Sequence, residues 1–270
     1  MSADPARAER YDPDRYWREA LGESFDLRGV GLIDRSLAFN RWGYRARRAA
    51  AAALAPDVGG RRVLDVGSGT GHWVAYWHAR GAASVAGMDL TELSVSRLRE
   101  AFPGDRFACA DVAERVPLEG PFDLISAMDV LLHVTVDDRY RRALANLRGV
   151  AGPGGRLLLL EPLTAGPPRP MAPGSHSRTR SLDDVRGHLA AAGWRLTATR
   201  SVTWFMSNPV EVRPWPLYAA LSASWAAIRP LIRTEAGGQV CGALLYPLDQ
   251  LLCRLLAWGP SAKVALAEAV

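Results

Sequence analysis

The chain is 270 residues long, with 49% hydrophobic and 23% charged residues, the balance of an ordinary globular protein able to fill one sizeable core and an elaboration. Its net charge of +5 rests on arginine, Lys263 being the sole lysine; basic clusters such as Arg45, Arg47 and Arg48 read as a solvated helix face, and no RNA- or DNA-reading motif accompanies them. Cys109, Cys241 and Cys253 make neither a disulfide framework nor a zinc pattern, and the polar stretch Met1 to Arg10 has no apolar signal core, so a cytoplasmic protein that binds no nucleic acid is expected.

In chain order, residues 11–58 read as helical and dotted with aromatics (Tyr11, Tyr16, Trp17, Phe39, Trp42, Tyr44). A short β-run over 62–66 meets a glycine turn and a helix over 71–80, which Gly81 closes. A second strand spans 83–90, followed by a Thr91-capped helix to Phe102, then strands at 106–110 and 123–128. Thr135 to Asp138 has the form of a capping box opening a helix to about Val150. After Gly152-Pro153-Gly154-Gly155, a strand over 156–161 carries four consecutive leucines, implying burial on both faces. A Pro/Gly linker covers 164–175, Ser181 and Asp184 cap a helix that Gly193 ends, and 194–203 alternates as a strand. Residues 204–260 are rich in Trp, Leu and Pro, and 262–267 is again strand-like. Repeated βα units of this kind imply an α/β fold with a parallel, doubly wound sheet. The longest apolar windows, 214–228 and 236–248, fall short of the ~20 residues of a spanning helix.

Residues 63–71, Val-Leu-Asp-Val-Gly-Ser-Gly-Thr-Gly, hold the most informative pattern. Gly67, Gly69 and Gly71 let backbone approach a ligand, but His72 stands where a dinucleotide fingerprint needs its third glycine. With Asp65 ahead of the turn, the pattern suits a phosphate-free, zwitterionic nucleoside. In open α/β sheets ligands sit beyond the carboxyl ends of the strands. There stand Asp89, placed to accept both hydroxyls of a ribose, then Asp111 with the Val112 N–H for a base, then Asp129 and His133, then Glu161.

These stretches, with VAGMDL (85–90), FACADV (107–112), FDLISAMDVLLHV (122–134) and AGPGGRLLLLEPL (151–163), resemble class I S-adenosylmethionine-dependent methyltransferases. The resemblance implies a Rossmann-like seven-stranded, mostly parallel sheet with helices on both faces, its last strand antiparallel beside the fifth. It also implies S-adenosylmethionine as cofactor, with Asp65, Gly67, Gly69 and Gly71 at the methionine part, Asp89 and Leu90 at the ribose, Asp111 and Val112 at the adenine, and Asp129 beside them. The whole chain further resembles uncharacterised bacterial methyltransferases with an Arg-Tyr-Trp start (Arg15 to Trp17) and an H-x-x-x-R-S-L element (His176 to Leu182).

The expected organisation is an N-terminal helical segment over the active site (1–58), a cofactor-binding core (59–203), a helical insertion (204–260) and a final core strand (261–270). The insertion reads first as a cap over the crevice, with a dimer face or an interfacial membrane contact as alternatives. His176 and His133 are the candidate general bases, and Trp42, Tyr44, Arg178 and Arg180 the candidate acceptor contacts; His72, His78 and His188 read as structural or exposed. No metal cluster is visible, and Asn208-Pro209-Val210 lacks the second proline and aromatic of the nucleic-acid amino-methyltransferase tetrapeptide. The expected activity is methyl transfer to a small molecule, foremost onto oxygen, with N-methylation of an amine or peptide and a non-catalytic cofactor-binding protein as alternatives.

Overall fold

The computed structural model describes residues 11–270. Three helices come first: α1 (Pro13–Glu23), α2 (Leu27–Val30) and α3 (Leu37–Leu54), with Asp12, Asp26 and Ser36 as their side-chain N-caps. The core then alternates β1 (Arg62–Val66), α4 (His72–Ala79), β2 (Ser84–Asp89), α5 (Glu92–Ala101), β3 (Arg106–Cys109) and β4 (Phe122–Met128). A single 3₁₀ turn (Leu131–His133) leads to α6 (Asp137–Val150) and β5 (Ala151–Glu161). A two-residue pairing of β6 (Leu163–Thr164) with β7 (Arg180–Ser181) closes the linker ahead of α7 (Leu182–Ala191). Then follow β8 (Trp194–Ser201), the insertion helices α8 (Trp215–Ile228) and α9 (Glu235–Leu255), and β9 (Lys263–Ala269).

The seven-stranded sheet runs β3-β2-β1-β4-β5-β9-β8, parallel from β3 to β5, with β9 antiparallel between β5 and β8. The order reverses between β1 and β4, and ligand crevices form at such a switch. Alternation along the strands divides the core in two. Leu157 and Leu159 of β5 pack with Tyr140, Leu144 and Leu147 of α6 and Leu189 of α7 on one face. Leu158 and Leu160 face the other side, where Ala46 and Ala50 of α3, Val74 and Trp77 of α4, and Leu98 of α5 cover the sheet. That is how four consecutive leucines are buried at once. A smaller cluster of Phe39, Met206, Trp225 and Ile232 joins α3 to the insertion.

Two local expectations are corrected. The Ser181–Asp184 capping box is present, but the one expected at Thr135–Asp138 is not: the N-cap of α6 is Val136, without a side-chain cap. Its acidic residue is drawn elsewhere, because Asp137 accepts from Arg178 Nη2 (2.7 Å) and Arg180 Nε (3.4 Å).

Candidate functional site: the cleft beyond strands one to four

A cavity of about 530 Å³ opens at the carboxyl ends of β1 to β4, within the size range of small-molecule sites. The turn after β1 forms its floor. Gly67 and Gly69 line it with φ of 67° and 50°, backbone conformations that suit glycine. The amides of Gly67 and Ser68 both donate to Met88 O (2.7 and 3.0 Å), Gly69 N donates to Asp89 Oδ2 (2.9 Å), and Gly71 N to Ser68 O (2.8 Å). With these donors engaged internally, the turn is a poor cradle for a pyrophosphate, which needs free amides.

Two carboxylates reach the same cavity. Asp89 is buried and accepts from Gly69 N, Thr91 N and Thr91 Oγ1, each at 2.9 Å. Burial raises its pKa, and those hydrogen bonds oppose the rise. A carboxylate has about four acceptor positions, so one remains for a ligand hydroxyl. Thr91, which also caps α5, engages Oδ1 with its amide and its hydroxyl, leaving Oδ2 the freer oxygen. Asp111 accepts from Ala113 N (2.8 Å) and from Arg139 of α6, which also binds Glu114 (2.8 Å). Leu90 and Val112 line the cavity beside them. A hydroxyl acceptor at one strand end, a carboxylate at the next and a turn without phosphate donors fit S-adenosylmethionine.

Helix α1 walls the far end with Trp17 and Leu21, joined by Tyr11, Val30 and Tyr44. Tyr44 donates to Val30 O (3.2 Å) and meets His72 edge to face (4.6 Å). Asp129 lines the cavity at φ 60°, an uncommon conformation for a residue with a side chain. Arg47 Nε of α3 donates to its Oδ2 at 2.6 Å, tying the N-terminal helices to the end of β4. Arg47 thus leaves the solvated face assigned to it and also stacks on Tyr44.

His133 lines the cavity; His176 does not. The His133 ring meets Trp17 edge to face (4.8 Å) and stacks on His176 (5.5 Å), which stacks in turn on Tyr16 (4.9 Å). The Arg-Tyr-Trp and H-x-x-x-R-S-L elements therefore meet in space. His133 Nδ1 lies 2.7 Å from His176 O, and since a carbonyl only accepts, Nδ1 carries the proton and Nε2 is left as the basic nitrogen. Burial lowers the pKa of His133 to about 4, so the ring is neutral at physiological pH.

Several expected site residues stand elsewhere. Asp65 does not line the cavity; its carboxyl is buried, and burial pushes its pKa up to about 7 against the opposing side chains of Ser126, Ser68 and Trp77. Gly71 is the left-handed N-cap of α4 and packs towards Leu98 and Phe102. Trp42 lies between α3 and α9, bonded to Gln239 Oε1 (3.1 Å). Arg178 and Arg180 turn inward to Thr135 O (2.9 Å), Val134 O (2.7 Å) and Asp137, so they brace the start of α6 and do not face an acceptor. The cavity has no wall from 204–260: the insertion packs on α3, and the cover comes from α1.

The sequence reading also missed His72, Arg139 and Trp17 as lining residues. His72 Nε2 is buried without a partner among the described residues, and burial lowers its pKa to about 4. Its place directly after Gly71 was the available signal.

Residues 63–155 match a family model described as a methyltransferase domain. The chain is 33% identical over 146 residues to a malonyl-[acyl-carrier protein] O-methyltransferase of Pectobacterium atrosepticum, covering 53% of each protein. It is 29% identical over 208 residues to a tRNA U34 carboxymethyltransferase of Methylococcus capsulatus, covering 74% of this chain and 53% of that protein. It thus spans about half the length of these relatives. The structure is similar to that of a 1,6-didemethyltoxoflavin-N1-methyltransferase of Burkholderia thailandensis with bound S-adenosylhomocysteine, at a TM-score of 0.58 and 20% identity, covering all of this chain and 92% of that one. The relatives differ in what they act on while the domain stays the same. Residues 63–155 thus form a methyltransferase domain, set in a Rossmann-like seven-stranded sheet.

Proposed function

We propose that the protein transfers a methyl group from S-adenosylmethionine to an oxygen of a small-molecule acceptor held under α1. The observation that carries this reading is the continuity of one cavity from the glycine turn and Asp89 to the aromatic wall of Tyr11, Trp17 and Tyr44, with His133 between. When bound, S-adenosylmethionine supplies an electrophilic methyl group. Gly67, Gly69, Asp89 and Leu90 would hold its amino-acid and ribose parts, and Asp111 with Val112 its base. Asp65 holds the turn through its backbone oxygen, which accepts from Ser68 Oγ (2.9 Å).

The chain's own groups do the remainder. His176 acts as a positioning residue: its carbonyl fixes the tautomer of His133, and its ring keeps the imidazole in a stack with Tyr16. His133 Nε2 accepts the proton that a hydroxyl loses as it attacks. Helix α1 excludes water from the acceptor end, and Tyr44 is locked by its bond to Val30 O. Holding the acceptor in line is the larger contribution, ~7–11 kcal/mol by effective-molarity arguments; a base adds ~10²–10⁴-fold.

The test is methyl-labelled S-adenosylmethionine with a metabolite extract, followed by mass spectrometry of what acquires the label. Once an acceptor is in hand, His133→Gln is expected to lower kcat ~10²–10⁴-fold while leaving S-adenosylhomocysteine affinity unchanged. The acid limb of the pH profile is expected near pH 4, well below that of an ordinary imidazole, because the depressed pKa requires more acid to protonate the ring. Full turnover in His133→Gln would point to an amine acceptor, which needs less help in losing a proton. Cofactor binding with no labelled product in any extract would leave a non-catalytic binding protein.

A further inference from the structure

We propose that the outer face of α9 docks the protein on an anionic lipid surface. Helix α9 starts at Thr234, whose side chain accepts from Gly237 N (3.1 Å), and runs 21 residues. Its inner face is made for α3: Gly238 approaches Ser36 and Phe39, and Gly242 lies against Trp42. The outer face carries Val240, Leu244, Leu248, Leu251 and Leu255, spaced 4, 4, 3 and 4 residues apart and therefore in one stripe. Each is between 42% and 71% exposed. The stripe is ~22 Å long at 1.5 Å per residue, and exposed Leu231 and Leu256 extend it at either end. A run of this kind exceeds the scattered apolar residues of an ordinary surface.

The charges around the stripe decide what it meets. Arg233 precedes the helix and Arg254 lies on its last turn, whereas Arg45 of α3 sits on the inner side, stacked over Trp42 and Tyr246 (5.0 and 4.6 Å). The carboxylates of the same region are engaged inward. Glu235 accepts from Leu37 N and Ala38 N (both 2.9 Å), Asp249 is fully buried and accepts from Phe205 N and Met206 N, and Glu211 accepts from Ala165 N (2.7 Å) and Trp258 Nε1 (3.2 Å). Asp34 is shared by Arg229 and Arg233 at 3.8 and 3.9 Å and by Arg35, leaving that corner positive. A second copy of the chain would meet the stripe with the same arginines and the same occupied carboxylates. A layer of anionic headgroups supplies the missing partners, and the leucines enter the boundary beneath them. No helix among the described residues is long and apolar enough to cross a membrane, so the contact is interfacial. The cavity takes no wall from α9, which makes this docking independent of the reading of the cleft.

The test is flotation of the full chain with phosphatidylcholine vesicles, with and without phosphatidylglycerol. Recovery with the anionic vesicles, falling as salt is raised, is expected. Leu244→Asp with Leu251→Asp lowers the bound fraction at least about tenfold, since two leucines lose their apolar environment. Arg233→Glu with Arg254→Glu lowers it several-fold without touching the stripe. Wild-type melting and S-adenosylhomocysteine affinity in both variants exclude misfolding as the cause. Equal recovery with neutral vesicles, recovery with neither, or a dimer in analytical ultracentrifugation that Leu244→Asp dissolves would each overturn the proposal.

Discussion

Asp89 is where one side chain holds several parts of the site. It accepts the Gly69 amide, anchors Thr91 at the cap of α5 and keeps one acceptor position free. Asp89→Ala is expected to weaken S-adenosylhomocysteine binding by ~1–3 kcal/mol, measured by titration calorimetry, because buried donors lose their partner. Glu161 sits deeper, at the end of β5, with Tyr140 Oη donating to it (3.1 Å) and its second oxygen unpartnered among the described residues. Burial, against the pull of Arg180, raises its pKa from 4.5 to about 7. Between those values the native state holds a proton that the unfolded chain has lost. The contribution is therefore complete below pH 4.5 and disappears as pH rises to about 7. Glu161→Gln should stabilise the protein at pH 8 relative to pH 5 by about 3 kcal/mol, read from urea midpoints at the two pH values. Residue identity foretold the carboxylates at the strand ends, because position at a parallel strand end already limits what a side chain can reach. It did not foretell Arg178 and Arg180: an arginine's long stem lets it face either way, and Asp137 lies more than forty residues from them in sequence, a pairing that only the fold creates.

Among the elements, α3 connects the rest. Its Arg47 pairs with Asp129 at the cleft, its Tyr44 walls the cavity, and its Trp42 rests on Gly242 of α9. A methyl group at Gly242 would land on the Cβ and ring of Trp42, atoms close to the α3 backbone that have little room to move. Gly242→Ala is expected to cost ~1–3 kcal/mol in thermal unfolding, as overpacking of a close helix contact does. The boundaries of β1, β2 and β4 were legible to within a residue or so from burial and turn chemistry. The role of the insertion was not. Helical spacing in 214–255 announced helices, but periodicity records which face is apolar and says nothing about which neighbour covers it. In α9 the two small residues Gly238 and Gly242 mark the side facing α3, and the leucines mark the side facing out, the reverse of a simple amphipathic reading.

At the scale of the molecule, the sheet order and the antiparallel β9 follow from chain topology, so they were legible from the βα repeats and the family resemblance together. The sequence put both 1–58 and the insertion over the cleft; that residues 11–30 cover it while the insertion does not depended on long-range packing, for which the local pattern carried only aromatic and helical spacing. The join between sheet and insertion holds the one lysine of the chain. Lys263 Nζ donates to Leu163 O (2.6 Å) beneath the Trp258 ring (4.0 Å), fully buried, and burial lowers its pKa to about 7. An acylating reagent reaches this amine only when the seam parts. Its rate of modification, followed by peptide mass at Lys263 to separate it from the N-terminal amine, is therefore a clock for local opening with no competing lysine signal. The native protein is expected to react far more slowly than free lysine at pH 8, and Glu211→Gln, which weakens the acceptor for Trp258 Nε1 and Ala165 N, is expected to quicken it. A composition that left the chain a single lysine has thereby equipped it with a built-in reporter of its own breathing.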